Sequence, residues 1–270
     1  MKQTLSTRLN DNITHLKSIF PIGTSFDLIT RELLLGETKS YWIGINGFCR
    51  TEILQQIFSD LQNPVYTKDS IVEDIADYLN AKIGYAQAEL VSDWQKITDN
   101  LLSGPSVLFI DGFAQAILID VRTYPARGVA EPDTERVTRG ARDGFVETML
   151  FNTNLIRRRI RTPELTFEIA KVGTASRTDV AIAYVNGLAD QALLQNIKEV
   201  LKGLTVTSLT MGSKSLEELL VRKSWFHPLP GLQTTERPDV ACSYLMEGHI
   251  LLIVYNSPAV LILPCTIFQF

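Results

Sequence analysis

The sequence is poor in everything that would mark a covalent framework, a metal centre or a membrane span. It has three cysteines, Cys49, Cys242 and Cys265, far apart and without a CxxC pair. An odd, scattered set argues against a disulfide scaffold and suits buried thiols in a reducing compartment. The three histidines, His15, His227 and His249, are equally dispersed. No metal-ligand spacing emerges, so neither a metal nor another cofactor is expected. The first ten residues contain no apolar core of a secretory signal. A membrane helix needs about 18 consecutive apolar residues, and the richest stretch, Ile250 to Phe268, is broken by Asn256, Ser257, Pro258 and Pro264. The 270 residues therefore read as soluble. Positive charge is also short: the formal net charge is -4, which excludes a duplex nucleic-acid binder that works by neutralising phosphates.

Catalytic templates are missing as well. Gly36, Gly44 and Gly47 do not form a GxGxxG fingerprint, and no P-loop spacing occurs. Ser40, Ser106 and Ser176 lack a nucleophile elbow. No pair of acids stands out as a glycosidase couple. A non-enzymatic role is the expectation.

What is present is a globular composition, 45% hydrophobic and 21% charged, too apolar for disorder. Leu9 to Phe20 reads as an amphipathic helix ended by Pro21 and Gly23. Phe26–Leu35 and Lys39–Gly47 read as strands around Gly36-Glu37. Helices are expected from Thr51 to Leu61, Ser70 to Leu79 and Ser92 to Leu102, with a short strand over Ala86–Val91. The segment Val107–Ile119, two apolar runs around Asp111-Gly112, predicts a buried hairpin. Tyr124 to Gly140 is polar and punctuated by Pro125, Gly128, Pro132 and Gly140, as a linker would be. Beyond it the pattern gives a helix over Gly144–Arg161 and strands over Leu165–Val172 and Asp179–Tyr184. Helices follow over Gln191–Leu201 and Ser215–Arg222 and from Pro238, then a closing hairpin over His249–Leu263. The expected fold is α/β in two lobes, each a mixed sheet flanked by helices, joined by a polar hinge. The lobes are residues 1–124 and 144–270, with 125–143 as linker. Val107–Ile119 and Leu251–Leu263 share length and plan. Internal duplication and two hairpins obeying one physical rule both account for that.

Charged groups supply the candidate sites. Arg157, Arg158, Arg159 and Arg161 follow the carboxylates Glu131, Asp133 and Glu135. The arginines read either as a phosphate or anionic-lipid site or as partners of those carboxylates that fix the orientation of the lobes. The second reading is favoured, because consecutive helical residues stand about 100° apart and cannot make one flat patch. Thr178-Asp179-Val180 puts an acid at the entrance to an apolar strand, and Thr235-Glu236-Arg237-Pro238-Asp239 reads first as a loop-to-helix capping element. Arg237, Asp239 and Asp179 would also serve to clamp a small polar molecule between two lobes.

The string EPDTERVTRGARDGFVETMLFNTNLIRRRIRTPEL, residues 131–165, resembles the signature of the GerA-type spore-germination A-subunit family. Its matching positions include Arg139, Gly140, Arg142, Gly144, Phe145, Glu147, Asn152 and the run Leu155–Arg161. Arg177–Val180, Thr235–Asp239, Glu247-Gly248 and the strand ending at Pro264 match too. Where receptor subunits often have GPREGF, Gly140–Phe145 reads GARDGF, which points to an auxiliary paralogue. The resemblance implies a soluble domain of two α/β lobes followed, after residue 270, by a multi-helix membrane domain. It implies the inner membrane of an endospore, with this domain on the spore-core side. It further implies other membrane subunits of a germination complex as partners, self-association, and a part in assembling an ion-releasing channel and coupling signals to it. Arg139, Arg142, Arg157 and Arg158 would carry contacts within such an assembly, and Arg237 with Asp239 would serve as binding residues. The alternative is a germinant-like small-molecule module with its cleft between the lobes.

Overall fold

The computed structural model describes residues 4–62, 75–76, 87–123, 143–222 and 232–264. The chain divides into two compact units. The first comprises Met1–Gly23 and Asp27–Pro125, the second Thr24–Phe26 and Ala126–Phe270.

In the first lobe, helix α1 (Leu9–Ile19) leads into strands β1 (Leu28–Leu35) and β2 (Thr38–Ile45). Helix α2 (Thr51–Gln62), strand β3 (Gln87–Val91), helix α3 (Trp94–Ser103) and the hairpin β4 (Ser106–Ile110) and β5 (Ala116–Asp120) complete it. The sheet order is β1-β2-β4-β5-β3. Alternate side chains along each strand point to opposite faces. Val107 and Phe109 therefore enter a core with Leu16 of α1 and Ile97 of α3, while Leu108 and Ile110 enter another with Leu54, Ile57 and Leu61 of α2. The sheet is thus covered by helices on both faces, and this is why its central strands are apolar throughout.

The second lobe repeats the arrangement. It contains α4 (Met149–Arg159), β6 (Leu165–Val172), β7 (Thr178–Val185), α5 (Gln191–Lys202), α6 (Ser213–Arg222), β8 (Gln233–Thr235), α7 (Pro238–Met246), β9 (Ile250–Val254) and β10 (Val260–Leu263). Its order, β6-β7-β9-β10-β8, is that of the first lobe strand for strand. Leu251 and Ile253 face α4 and α7, whereas Ile250, Leu252 and Val254 face α5 and α6.

The correspondence extends to single residues. Val107 pairs with Leu118 in the first hairpin as Leu251 pairs with Ile262 in the second. Buried Asn12 closes a two-bond ring on Ser6, its Oδ1 accepting from Ser6 N at 2.9 Å and its Nδ2 donating to Ser6 O at 2.7 Å. Buried Asn152 does the same to Val146, at 2.8 and 2.6 Å. Gly112 and Asn256 occupy the same left-handed turn position, φ 91° and 67°. Each donates its N–H at 2.9 Å into the segment before the first helix of its lobe, to Thr7 O and Glu147 O. The shared plan of Val107–Ile119 and Leu251–Leu263 is therefore one part of a repeat that runs through both lobes.

The two-lobed α/β architecture is as expected, with one correction. Both sheets are antiparallel in every described pairing, not mixed. Strands apolar on both faces report cover by helices on both sides, and that cover does not fix strand direction. Strand β8 lies where the sequence reads as a capping loop; at three residues it is too short to show a period. The expected helix over residues 70–79 lies outside the described residues except for Ile75 and Ala76, which are helical. Thr24–Phe26 join the second lobe, where Phe26 N donates to Phe167 O at 3.0 Å and Phe167 N donates to Ser25 Oγ at 2.8 Å.

Candidate functional site

Of the charged residues singled out by the sequence, Arg157, Arg158, Arg159, Arg237 and Asp239 lie on or at the ends of α4 and α7 of the second lobe. Arg157 is 1% exposed. Its Nη1 donates to Thr162 O at 3.0 Å and its Nη2 to Leu165 O at 2.8 Å, and its guanidinium sits 5.2 Å from the centroid of the Phe167 ring. The charge thereby ties the end of α4 to the first residue of β6. A buried cation is tolerated because carbonyl dipoles and a ring face replace its water. Arg159 points elsewhere, its Nη2 reaching both oxygens of Asp143 at 2.6 Å and its Nη1 donating to Leu155 O at 3.0 Å. Arg158 is half-buried; Arg161 is exposed and donates from Nε to Arg158 O at 3.4 Å. The run of arginines thus fans around the helix as its geometry requires. Glu131, Asp133, Glu135, Arg139 and Arg142 lie outside the described residues, as does most of the linker.

On α7, Arg237 occupies the N-cap position and Pro238 the first turn, where a missing N–H costs nothing. Arg237 grips Asp239 with two hydrogen bonds, Nε to Oδ1 at 3.1 Å and Nη2 to Oδ2 at 2.6 Å. The Arg237 guanidinium holds the Asp239 carboxyl below its ordinary value. Beneath them lies Cys242, whose thiol is pushed up to about 12 chiefly by burial; Arg159 opposes the shift, and Asp239 and Asp143 add to it. At that pKa the buried thiol is not a nucleophile near neutral pH. Cys49 in the first lobe is likewise raised to about 12 by burial, with Asp120 adding to the effect. Asp179 is the second residue of β7 and is not joined to Arg237 or Asp239 by any contact among the described residues. Its Oδ1 is buried without a partner. No group of three or more metal-ligating side chains occurs among the described residues. No helix among them is long and apolar enough to cross a membrane.

A second feature escaped sequence reasoning. The first lobe carries a groove of about 750 Å³ between β1, β2 and α2, bordered by Arg31, Trp42 and Phe58 among others. Its residues are scattered over three elements and form no motif. Their only sequence signal is comparison with the matching positions of the second half.

Known proteins share this architecture. A family model described as Bacillus/Clostridium GerA spore germination protein matches residues 14–270. The chain belongs to the GerA family. Stage V sporulation protein AF of Bacillus subtilis (strain 168) is 38% identical over 96% of this chain and 52% of its own length. Spore germination protein KA of the same organism is 30% identical over 98% of this chain and 48% of its own length. The chain therefore spans about half the length of the curated GerA relatives it matches. The crystal structure of the N-terminal domain of the A subunit of the Bacillus megaterium spore germinant receptor GerK3 superposes with a TM-score of 0.75 at 25% identity, covering 100% of both chains. Sporulation and germination are thus the shared setting of these relatives.

Proposed function

We propose that this chain is the non-catalytic soluble part of a spore inner-membrane germination protein, facing the spore core, where it assembles and couples an oligomeric, ion-releasing germination complex. The observation that carries this reading is the end-to-end match to the N-terminal domain of a germinant-receptor A subunit, joined to the fact that the curated relatives are about twice as long. The other half of such a protein would supply the membrane anchorage, and the partners would be other membrane subunits together with further copies of the chain. The higher identity to stage V sporulation protein AF than to germination protein KA supports an auxiliary role over nutrient sensing. The charged groups of the α4–α7 layer favour a mechanical role over catalysis. Arg157, the Arg159–Asp143 pair and the Arg237–Asp239 pair all hold the fold together.

The test replaces Arg139, Arg142 and Arg158 with alanine in the full-length protein of sporulating cells. The expected result is normal accumulation of the protein with loss of co-purifying subunits and slowed ion release on germination. Unchanged assembly and germination would overturn the proposal.

A further inference from the structure

The two lobes are copies of one plan, so each position in one has a reference in the other. Over the α2 face of the first sheet, Arg31 on β1 stands directly opposite Trp42 on β2, and Phe58 of α2 meets the Trp42 ring edge-on with centroids 5.4 Å apart. The matching residues of the second lobe are Glu168 opposite Ile182, with Lys198 on α5. Gly44 is matched by Tyr184. In the second lobe this set is closed. The Tyr184 hydroxyl donates to Glu168 Oε1, Lys198 Nζ pairs with the same oxygen at 2.7 Å, and that ammonium lies 5.5 Å from the centroid of the Tyr184 ring.

The first lobe leaves the same set open. Arg31 has no hydrogen-bond or ion-pair partner among the described residues. Trp42 is 5% exposed, and its indole Nε1–H is buried without an acceptor. A buried donor left unpaired is costly, and native structures keep few of them. The Cζ2–Cη2 edge of the indole lies over Gly44, where a Cβ would come within 2.7 Å of it, so the ring holds a place that any larger residue would take. These groups border the groove of about 750 Å³, a volume within the range of small-molecule pockets. Its wall includes the apolar Ile29, Leu33, Leu54 and Phe58 beside the polar Asn46, Gln55 and Gln62, and among the described residues Arg31 is its one charged lining residue.

We infer that this groove of the first lobe binds a small organic monoanion, a carboxylate on a branched aliphatic or aromatic body. Cross-strand neighbours are about 5 Å apart at Cβ, so a carboxylate held by the Arg31 guanidinium stands beside the Trp42 indole, whose Nε1–H, buried in the free chain, donates to it only when the ring moves. The apolar body then covers Ile29, Leu33 and Phe58. One cation selects one negative charge over a dianion such as phosphate. The site lies wholly within the first lobe and does not depend on the assembly role proposed above.

The test is titration of the ¹⁵N-labelled chain with 4-methylpentanoate and with phenylacetate, following the indole N–H resonances of its three tryptophans, Trp42, Trp94 and Trp225. Trp42→Phe assigns the Trp42 signal. The expected result is a saturable downfield movement of that signal. Affinity should be weaker by at least about tenfold for the neutral 4-methylpentanamide and in Arg31→Gln, the scale of one lost charge-assisted hydrogen bond. The double variant R31E/F58K installs the ion pair of the second lobe and is expected to abolish binding; should it not fold, Arg31→Gln decides alone. No saturable movement up to about 10 mM probe, equal response to the amide, or undiminished binding in Arg31→Gln or in folded R31E/F58K would overturn the inference.

Discussion

Asn12 and Asn152 show how one side chain can set the start of a lobe. Each lies in the first turn of its helix and is nearly or fully buried, and each pairs by both ends of its amide with the peptide of the residue six before it. An amide is the one neutral side-chain group that both donates and accepts in a plane, as a peptide does. Asn152→Ala leaves the half-buried Val146 N–H and C=O without this partner at once. The expected loss is about 2–4 kcal/mol, read as a shift of the urea midpoint at unchanged slope. Asn152→Asp keeps the acceptor but not the donor and should fall between the alanine variant and the native chain. Nothing in the sequence around Asn152 announces this role. An asparagine within a helix is ordinarily a weak helix former, and its partner is named only by the fold.

At the scale of elements, α4 departs most from what its residues lead one to expect. The arginines of residues 157–161 read as charges that pair with linker carboxylates, and Arg161 is exposed as such a group would be. Arg157 instead enters the core and closes the connection from α4 to β6 through the carbonyls of Thr162 and Leu165. A lysine carries one compact ammonium where arginine has a planar fork and cannot satisfy both carbonyls with the same geometry. Arg157→Lys is therefore expected to cost about 2–4 kcal/mol by chemical denaturation, whereas Arg161→Lys should change stability by less than about 0.5 kcal/mol. The strands were more legible. Continuous apolar runs bounded by Asp111-Gly112 and by Asn256–Pro258 declared both hairpins, and the structure places them with only small shifts of their ends. Strand β8 carried no such signal, since three residues are too few to show a period and their strand character comes from pairing with β10.

At the scale of the whole molecule, the repeat lets two similar lobes carry different chemistry on the same scaffold. The second lobe holds a closed Tyr184–Glu168–Lys198 group where the first holds an open groove, and arginine–aspartate pairs are divided between them, Arg159–Asp143 and Arg237–Asp239 in the second and Arg122–Asp120 in the first. This division has a consequence for acid stability. The folded Asp239 carboxyl titrates below its ordinary value of 3.8 because Arg237 holds its charged form. A depressed folded value means that the stabilisation is complete above the ordinary value. It is lost as pH falls from there through the folded one. Arg237→Gln should accordingly lower the unfolding midpoint at about pH 6. The gap from the native chain should narrow as pH falls through the folded value, below which Asp239 is protonated in both states. A gap independent of pH would mean that Arg237 acts through packing alone.

The sequence by itself determined the lengths and kinds of most described elements, the two-lobed α/β class, the absence of familiar catalytic motifs and the family resemblance. These rest on local period, turn chemistry and contiguous strings, all of which are readable along the chain. Only the tertiary structure decided that every described strand pair is antiparallel and that Thr24–Phe26 joins the second lobe. It alone showed that Arg157 is internal and that Arg31, Trp42 and Phe58 frame one groove. Strand direction, the fate of a buried charge and the meeting of distant side chains depend on which elements pack together. That choice is made by the summed burial of whole faces, which no short stretch of residues records.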